Sequence, residues 1–229
     1  MTSSISYQHV AFPSKGPEQV TLRGLLVAPS DRKTAAFCVL VHPWGYLGGS
    51  QAHMIPYAEH LADKHSLQCL VFNCRGVGDS GGSATLRCSA GIQDVLGACD
   101  WVIAHFNAHI ILIGSSAGAA VAGSVLDQVP AVKGLVAIGF TFGWCSSIVL
   151  GGHYGSILKS SKPKLFIMGD CDGFTSVSQL ESRVRSMENA TMHIISSGGH
   201  FSLESRHQAT LVELIAAFIA KLGLKREYI

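Results

Sequence analysis

Charge is what this chain has least of. Asp, Glu, Lys and Arg make up 14% of its 229 residues and leave a formal net charge of +2. The one basic grouping is Lys221…Lys225-Arg226, at the end of a helical pattern. A chain without a basic patch or stripe has no electrostatic footprint for nucleic acid. Cysteine spacing is equally bare of signal. The seven cysteines are odd in number, lie in apolar runs and form no C-x-x-C pair. That excludes a zinc ribbon, argues against a secreted disulfide framework and leaves most of them as small core residues. Met1-Thr2-Ser3-Ser4-Ile5 has neither the basic start nor the apolar run of a signal peptide. The most apolar stretch, around His109–Leu126, is broken by glycine and serine and does not read as a membrane span. The expectation is a cytoplasmic protein of one domain, residues 1–229, whose 48% apolar content can fill a sizeable core.

What is present is an ordered alternation. Tyr7–Phe12 and Val20–Ala28 alternate polar and apolar residues, as half-exposed antiparallel strands do. Short continuous apolar runs follow at Ala36–Val41, Leu67–Phe72, His109–Ile113, Leu135–Phe140, Lys164–Met168 and Met192–Ile195, which suits strands covered on both faces. Between them lie helical patterns at His53–Lys64, Ile92–Phe106, Ala117–Val129, Val177–Met187 and Gln208–Leu222. The alternation predicts an α/β fold: a mostly parallel, twisted sheet of about eight strands with helices on both faces. Ligands in such sheets bind at the carboxyl ends of the strands. Those ends carry "HPWGYLGG" (42–49), "NCRGVGDSGG" (73–82), "GSSAG" (114–118), "GDCDGF" (169–174) and "SGGHF" (197–201).

Two of these segments match the nucleophile pattern G-x-S-x-G, and with 25 glycines in the chain one match is weak evidence. Context separates them. Ser116 lies directly between a strand and a helix that starts at Ala117, with Gly114 and Gly118 as small neighbours two residues away. A serine on so sharp a turn stands above the sheet, next to the unpaired N–H groups and partial positive charge of a helix start. Ser80 sits in "GDSGG", the string around the active serine of chymotrypsin-like enzymes. But Arg75–Gly78 part it from its strand, poor helix formers follow it, and this chain is not all-β. Ser80 reads as a turn residue and Ser116 as the nucleophile.

A serine hydroxyl needs a base, and the base needs an orienting carboxylate. His200 stands just past the Met192–Ile195 strand, at the same edge as Ser116, whereas His193 lies within the strand, His207 at a polar helix start and His153 in a glycine-rich loop. Asp170 and Asp172 both follow the Lys164–Met168 strand; Asp172, one step into the turn, is better placed to reach the His200 loop. An oxyanion hole needs two donors. One is the N–H of Ala117. The other comes from "HPWG", where Pro43 has none and Trp44 is the first to offer one. His42 reads as a brace for that loop.

Together "HPWGYLGGS", "FNCRGVGDSGG", "GIQDVLGACDWV", "GSSAGAAVAGS", "KPKLFIMGDCDGFTSVSQLE" and "GGHF" resemble the α/β-hydrolase superfamily over nearly the whole chain, most of all its small lidless plant and bacterial members. The resemblance implies a triad at Ser116, Asp172 and His200, an oxyanion hole at Trp44 and Ala117, no metal or organic cofactor, and a small ester-like substrate. It explains "GDSGG" as the end of a structural R-G-x-G-x-S segment. The departure is His42-Pro43, where many relatives have His-Gly.

Lidded relatives insert a cap before the acid-bearing strand. Here that gap, about 141–162, has room for one short helix and no full cap domain. Trp144 and Tyr154 in it, with Phe174 beside Asp172, are candidate substrate-binding residues. The expected activity is serine hydrolysis of esters, thioesters or amides of small to medium apolar acyl groups. The fold also hosts small-molecule receptors, lyases and isomerases, which stay open as alternatives.

Overall fold

β1 (Ile5–Pro13) and β2 (Thr21–Pro29) pair antiparallel with Val10 opposite Gly24, and β2 pairs antiparallel with β4 (Gln68–Asn73). The remaining strands, β3 (Ala36–Val41), β5 (His109–Ser115), β6 (Val132–Ile138), β7 (Lys164–Gly169) and β8 (Ala190–Ile195), run parallel to β4. The sheet order is β1-β2-β4-β3-β5-β6-β7-β8. This computed structural model describes residues 5–30 and 35–225, with the backbone alone at 144–146.

Alternate residues of one strand feed opposite faces, which is why the central strands are apolar throughout. Phe37, Val39 and Val41 of β3 join one core with α2 (Gly91–Phe106) and α3 (Ala117–Val125). Ala36, Cys38 and Leu40 join the other with α1 (Ile55–His65) and the last helix, α7 (Leu203–Lys221). Strand order reverses between β3 and β5: the chain runs outward from β3 to β4, then returns past β3 to β5. Such a reversal opens a crevice above the carboxyl ends of the two strands. "HPWG" leaves β3 there and Ser116 leaves β5.

The "NCRGVGDSGG" segment is tied down, not poised. Arg75 Nε and Nη2 donate to Asp94 Oδ1 at 2.9 and 2.8 Å, and the Arg75 N–H donates to Oδ2 at 2.9 Å. Ser80 Oγ donates to the Asn73 carbonyl at 2.7 Å and accepts the Arg23 N–H at 2.9 Å, so both its hydrogen-bonding functions join strands.

Several boundaries differ from the pattern reading. α7 starts at Leu203, five residues before the expected Gln208, because its first turn is polar and shows no apolar period; non-helical angles at His207 mark the join. The 141–162 segment holds two short helices rather than one, α4 (Trp144–Leu150) and α5 (Tyr154–Lys159), joined by a 3-10 turn at Gly151–His153. α6 (Val177–Arg185) begins with a capping box in which Ser176 Oγ accepts the Gln179 N–H. α5 packs on α3, where a methyl group on Gly123 would meet Ile157 at 3.1 Å. Lys225 is exposed and Arg226 lies outside the described residues. No helix among the described residues is long and apolar enough to cross a membrane.

Candidate active site

The turn between β5 and α3 holds Ser116 at φ 53°, ψ −120°, a left-handed angle that costs a non-glycine residue energy and survives only where its surroundings enforce it. They do so through close packing. A methyl group on Gly114 would lie 2.4 Å from Ala119 Cα, and one on Gly118 would lie 2.3 Å from the His42 carbonyl oxygen. The Ser116 N–H donates to the Ile138 carbonyl at 2.8 Å, fixing the bend to the end of β6.

From this bend Ser116 Oγ reaches His200 Nε2 at 2.9 Å. The other ring nitrogen, Nδ1, lies 2.6 Å from Asp172 Oδ2. Asp172 Oδ1 in turn accepts the N–H groups of Phe174 at 2.7 Å and Thr175 at 3.0 Å, which aims the second oxygen at the histidine. The side chain of Asp172 is 0% exposed and that of His200 is 7% exposed, so the pair works largely out of water, where charge interactions are strong. Asp170 is exposed and forms no bond to His200 among the described residues. Of the other histidines that follow Ser116, His193 is exposed on β8, and His153 is buried between Ser124 Oγ at 2.8 Å and the Arg87 carbonyl at 2.7 Å.

The loop after β3 is held by His42. Its Nε2 accepts the Cys74 N–H at 3.1 Å, which fixes the proton on Nδ1, and Nδ1 donates to the Pro43 carbonyl at 2.5 Å. Burial keeps this imidazole below its ordinary pKa and therefore neutral, with the Pro43 carbonyl pulling the other way. The Trp44 carbonyl accepts the N–H groups of Leu47 and Gly49, both at 3.0 Å. The N–H groups of Trp44 and Ala117 donate to no acceptor among the described residues, and both residues line one pocket together with His42 and Gly118.

Beside Ser116 lies a cavity of about 140 Å³ bounded by Trp44, Leu47, His53, Phe201 and Glu204, with Ser116 and His200 in its wall. Of the residues expected to touch substrate, Phe174 lies against the His200 ring at 4.4 Å between centroids. Tyr154 belongs elsewhere: its ring packs with Phe140 and Phe142 and its hydroxyl donates to the Thr141 carbonyl. The reason is that α5 turns its apolar side down onto α3 and away from the cleft. The Trp144 side chain lies outside the described residues.

Three residues escaped the sequence reading. Gly139, after β6, has φ +58° and leaves room for the His200 ring; a methyl group there would sit 3.3 Å from Cε1. Phe201, next to His200, is 76% exposed and flanks the ring at 5.2 Å. Glu204 accepts a hydrogen bond from the Ser115 hydroxyl. The only signal for Glu204 was its position four residues after His200, which places it near the site if a helix starts there.

Comparison with solved structures finds the same architecture. An alpha-beta serine hydrolase homologue from Coxiella burnetii matches with a TM-score of 0.76 at 23% identity, over 91% of this chain and 96% of its own. An esterase from Pyrococcus furiosus matches at 0.77 and 20% identity, over 95% and 93%. A serine hydrolase without lid from Xanthomonas campestris matches at 0.77 and 20% identity, over 96% and 97%. Similarity at these identities is a likeness of fold. Comparison with curated proteins finds no match. The profile that describes the alpha/beta hydrolase domain matches residues 39–223, from within β3 to just past α7, and the chain belongs to that family.

Proposed function

We propose that the protein is a serine hydrolase that cleaves carboxylic esters of small to medium acyl groups through an acyl-enzyme; thioesters and amides are open to the same groups. The observation that carries this reading is the unbroken relay from Ser116 Oγ through His200 to Asp172. As Oγ attacks the carbonyl carbon, His200 Nε2 takes its proton, and Asp172 stabilises the imidazolium through Nδ1–H. The carbonyl oxygen, now negative, is held by the N–H groups of Trp44 and Ala117, near the positive end of α3. The tetrahedral intermediate expels the alcohol, which leaves with the proton from His200. Water, deprotonated by the same ring, then attacks the acyl carbon and frees Ser116. The serine hydrolase and esterase structures it resembles support the same chemistry.

A fluorophosphonate probe tests it. The protein should be labelled at Ser116, and Ser116→Ala should lose the label and more than about 10³-fold of ester turnover. Equal labelling of the variant sinks the reading. The size of the cavity sets a second expectation, that rates on an acyl-length series peak at short to medium chains.

A further inference from the structure

The wall of the cavity beside Ser116 has two chemistries. Trp44, Leu47 and Phe201 supply apolar surface, and Glu204 and Ser115 supply oxygen. Ser115 precedes the nucleophile at the end of β5, and Glu204 lies in the first turn of α7. The Ser115 hydroxyl spends its one hydrogen on Glu204 Oε1. Glu204 makes no other hydrogen bond among the described residues, which leaves its second oxygen and the lone pairs of Ser115 Oγ as unused acceptors. Glu204 is half-buried and lines the cavity. Tyr57, fully buried and within reach of the Glu204 charge, has a hydroxyl that makes no hydrogen bond among the described residues. His53, at the exposed rim, is not bonded to Glu204 either; its Nδ1 accepts the Ser50 N–H at 3.3 Å. Burial pushes the Glu204 carboxyl above its ordinary pKa, against the opposing pull of Ser115, His53 and His200. A half-dry carboxylate with spare lone pairs gains most from a donor that arrives with the ligand.

We propose that the Ser115–Glu204 pair is a specificity site that selects substrates carrying a hydrogen-bond donor, an ammonium or hydroxyl group, close to the scissile bond. The inference rests on the hydrolase reading and narrows its substrate class. An ester that is apolar throughout would strip water from the carboxylate and return nothing, whereas a donor restores the bond.

The test is a matched ester series in which one terminal methyl becomes a hydroxyl or an ammonium. On the acyl side, naphthyl butyrate is compared with the naphthyl esters of β-hydroxypropionic acid and β-alanine. On the alcohol side, propyl benzoate is compared with the monobenzoates of ethylene glycol and ethanolamine. The wild-type protein should favour a donor-bearing member by about tenfold or more in kcat/KM in at least one series. Glu204→Gln keeps an oxygen for Ser115 and removes the charge, and should bring that ratio back toward unity. Equal kcat/KM across both series in the wild type overturns the proposal, and so does a preference that Glu204→Gln leaves intact. If the variant does not fold, the wild-type ratio is divided by the ratio of the same esters' alkaline hydrolysis rates, which removes their intrinsic reactivity, and the corrected ratio decides. Failure of the hydrolase reading looks different: no ester is turned over and Ser116 takes no fluorophosphonate, which overturns both.

Discussion

Asp172 Oδ2 lies 2.6 Å from His200 Nδ1 while its other oxygen is held by two backbone N–H groups of its own loop. The carboxylate is thus oriented before it meets the histidine. Asp172→Asn preserves that orientation, because the amide oxygen still accepts from Phe174 and Thr175. It then turns an NH₂ toward Nδ1 and forces the proton onto Nε2, the nitrogen that takes one from Ser116 in the proposed mechanism. The expected result is a kcat lowered by about 10⁴ with an unchanged melting temperature. Ester turnover within tenfold of wild type would show that Asp172 does not set the tautomer.

Gly139 is expected to act on His200 by position alone. Gly139→Ala places a methyl group 3.3 Å from Cε1 at a backbone angle of φ +58°, so the ring or the loop must shift. A displacement of about 1 Å can cost 10²-fold in rate. The loss should fall on kcat and on the rate of fluorophosphonate labelling, with KM little changed. A variant that is less stable but labels at the wild-type rate would contradict this.

Arg75 and Asp94 form a buried pair whose side chains are 8% and 0% exposed. Asp94→Ala strands the guanidinium and the Arg75 N–H without their acceptor. The expected cost is about 3–5 kcal/mol, read as a lower urea midpoint. Replacing both partners by apolar residues, Arg75→Met with Asp94→Leu, should recover much of it, since no buried charge is left over.

His42 predicts a pH dependence of stability. Its folded pKa lies below the ordinary value of 6.5, so the unfolded chain binds the proton more readily. Its contribution is complete above about pH 6.5 and is lost as pH falls toward the folded pKa. Denaturation midpoints should therefore fall between pH 7.5 and pH 5, and fall less in His42→Gln. Equal slopes in the two proteins would show that His42 is free to protonate in the fold.

How far the sequence reads depends on how local each feature is. The bend at Ser116 is written in five consecutive residues, because the strand before it, the helix after it and the two flanking glycines are all local. The same holds for Ser80, whose surroundings offer no helix start, and whose hydroxyl is engaged with Asn73 and Arg23. Tyr154 is ambiguous in the sequence because an aromatic residue in a short irregular stretch can face a cleft or a core, and only the docking of α5 on α3 decides. Glu204 was passed over because the polar first turn of α7 hides the helix that carries it beside Ser115.

The sequence by itself determined the alternation of strands and helices, and with it which loops gather at one edge of the sheet, since hydrophobic periodicity and chain order are carried by near neighbours. Only the tertiary structure decided which side chains share the cavity. The register of β5 against β6 and β3, and the angle at which α7 leaves the His200 loop, set distances between residues more than eighty positions apart. Such distances follow from packing across the sheet, and no local pattern encodes them.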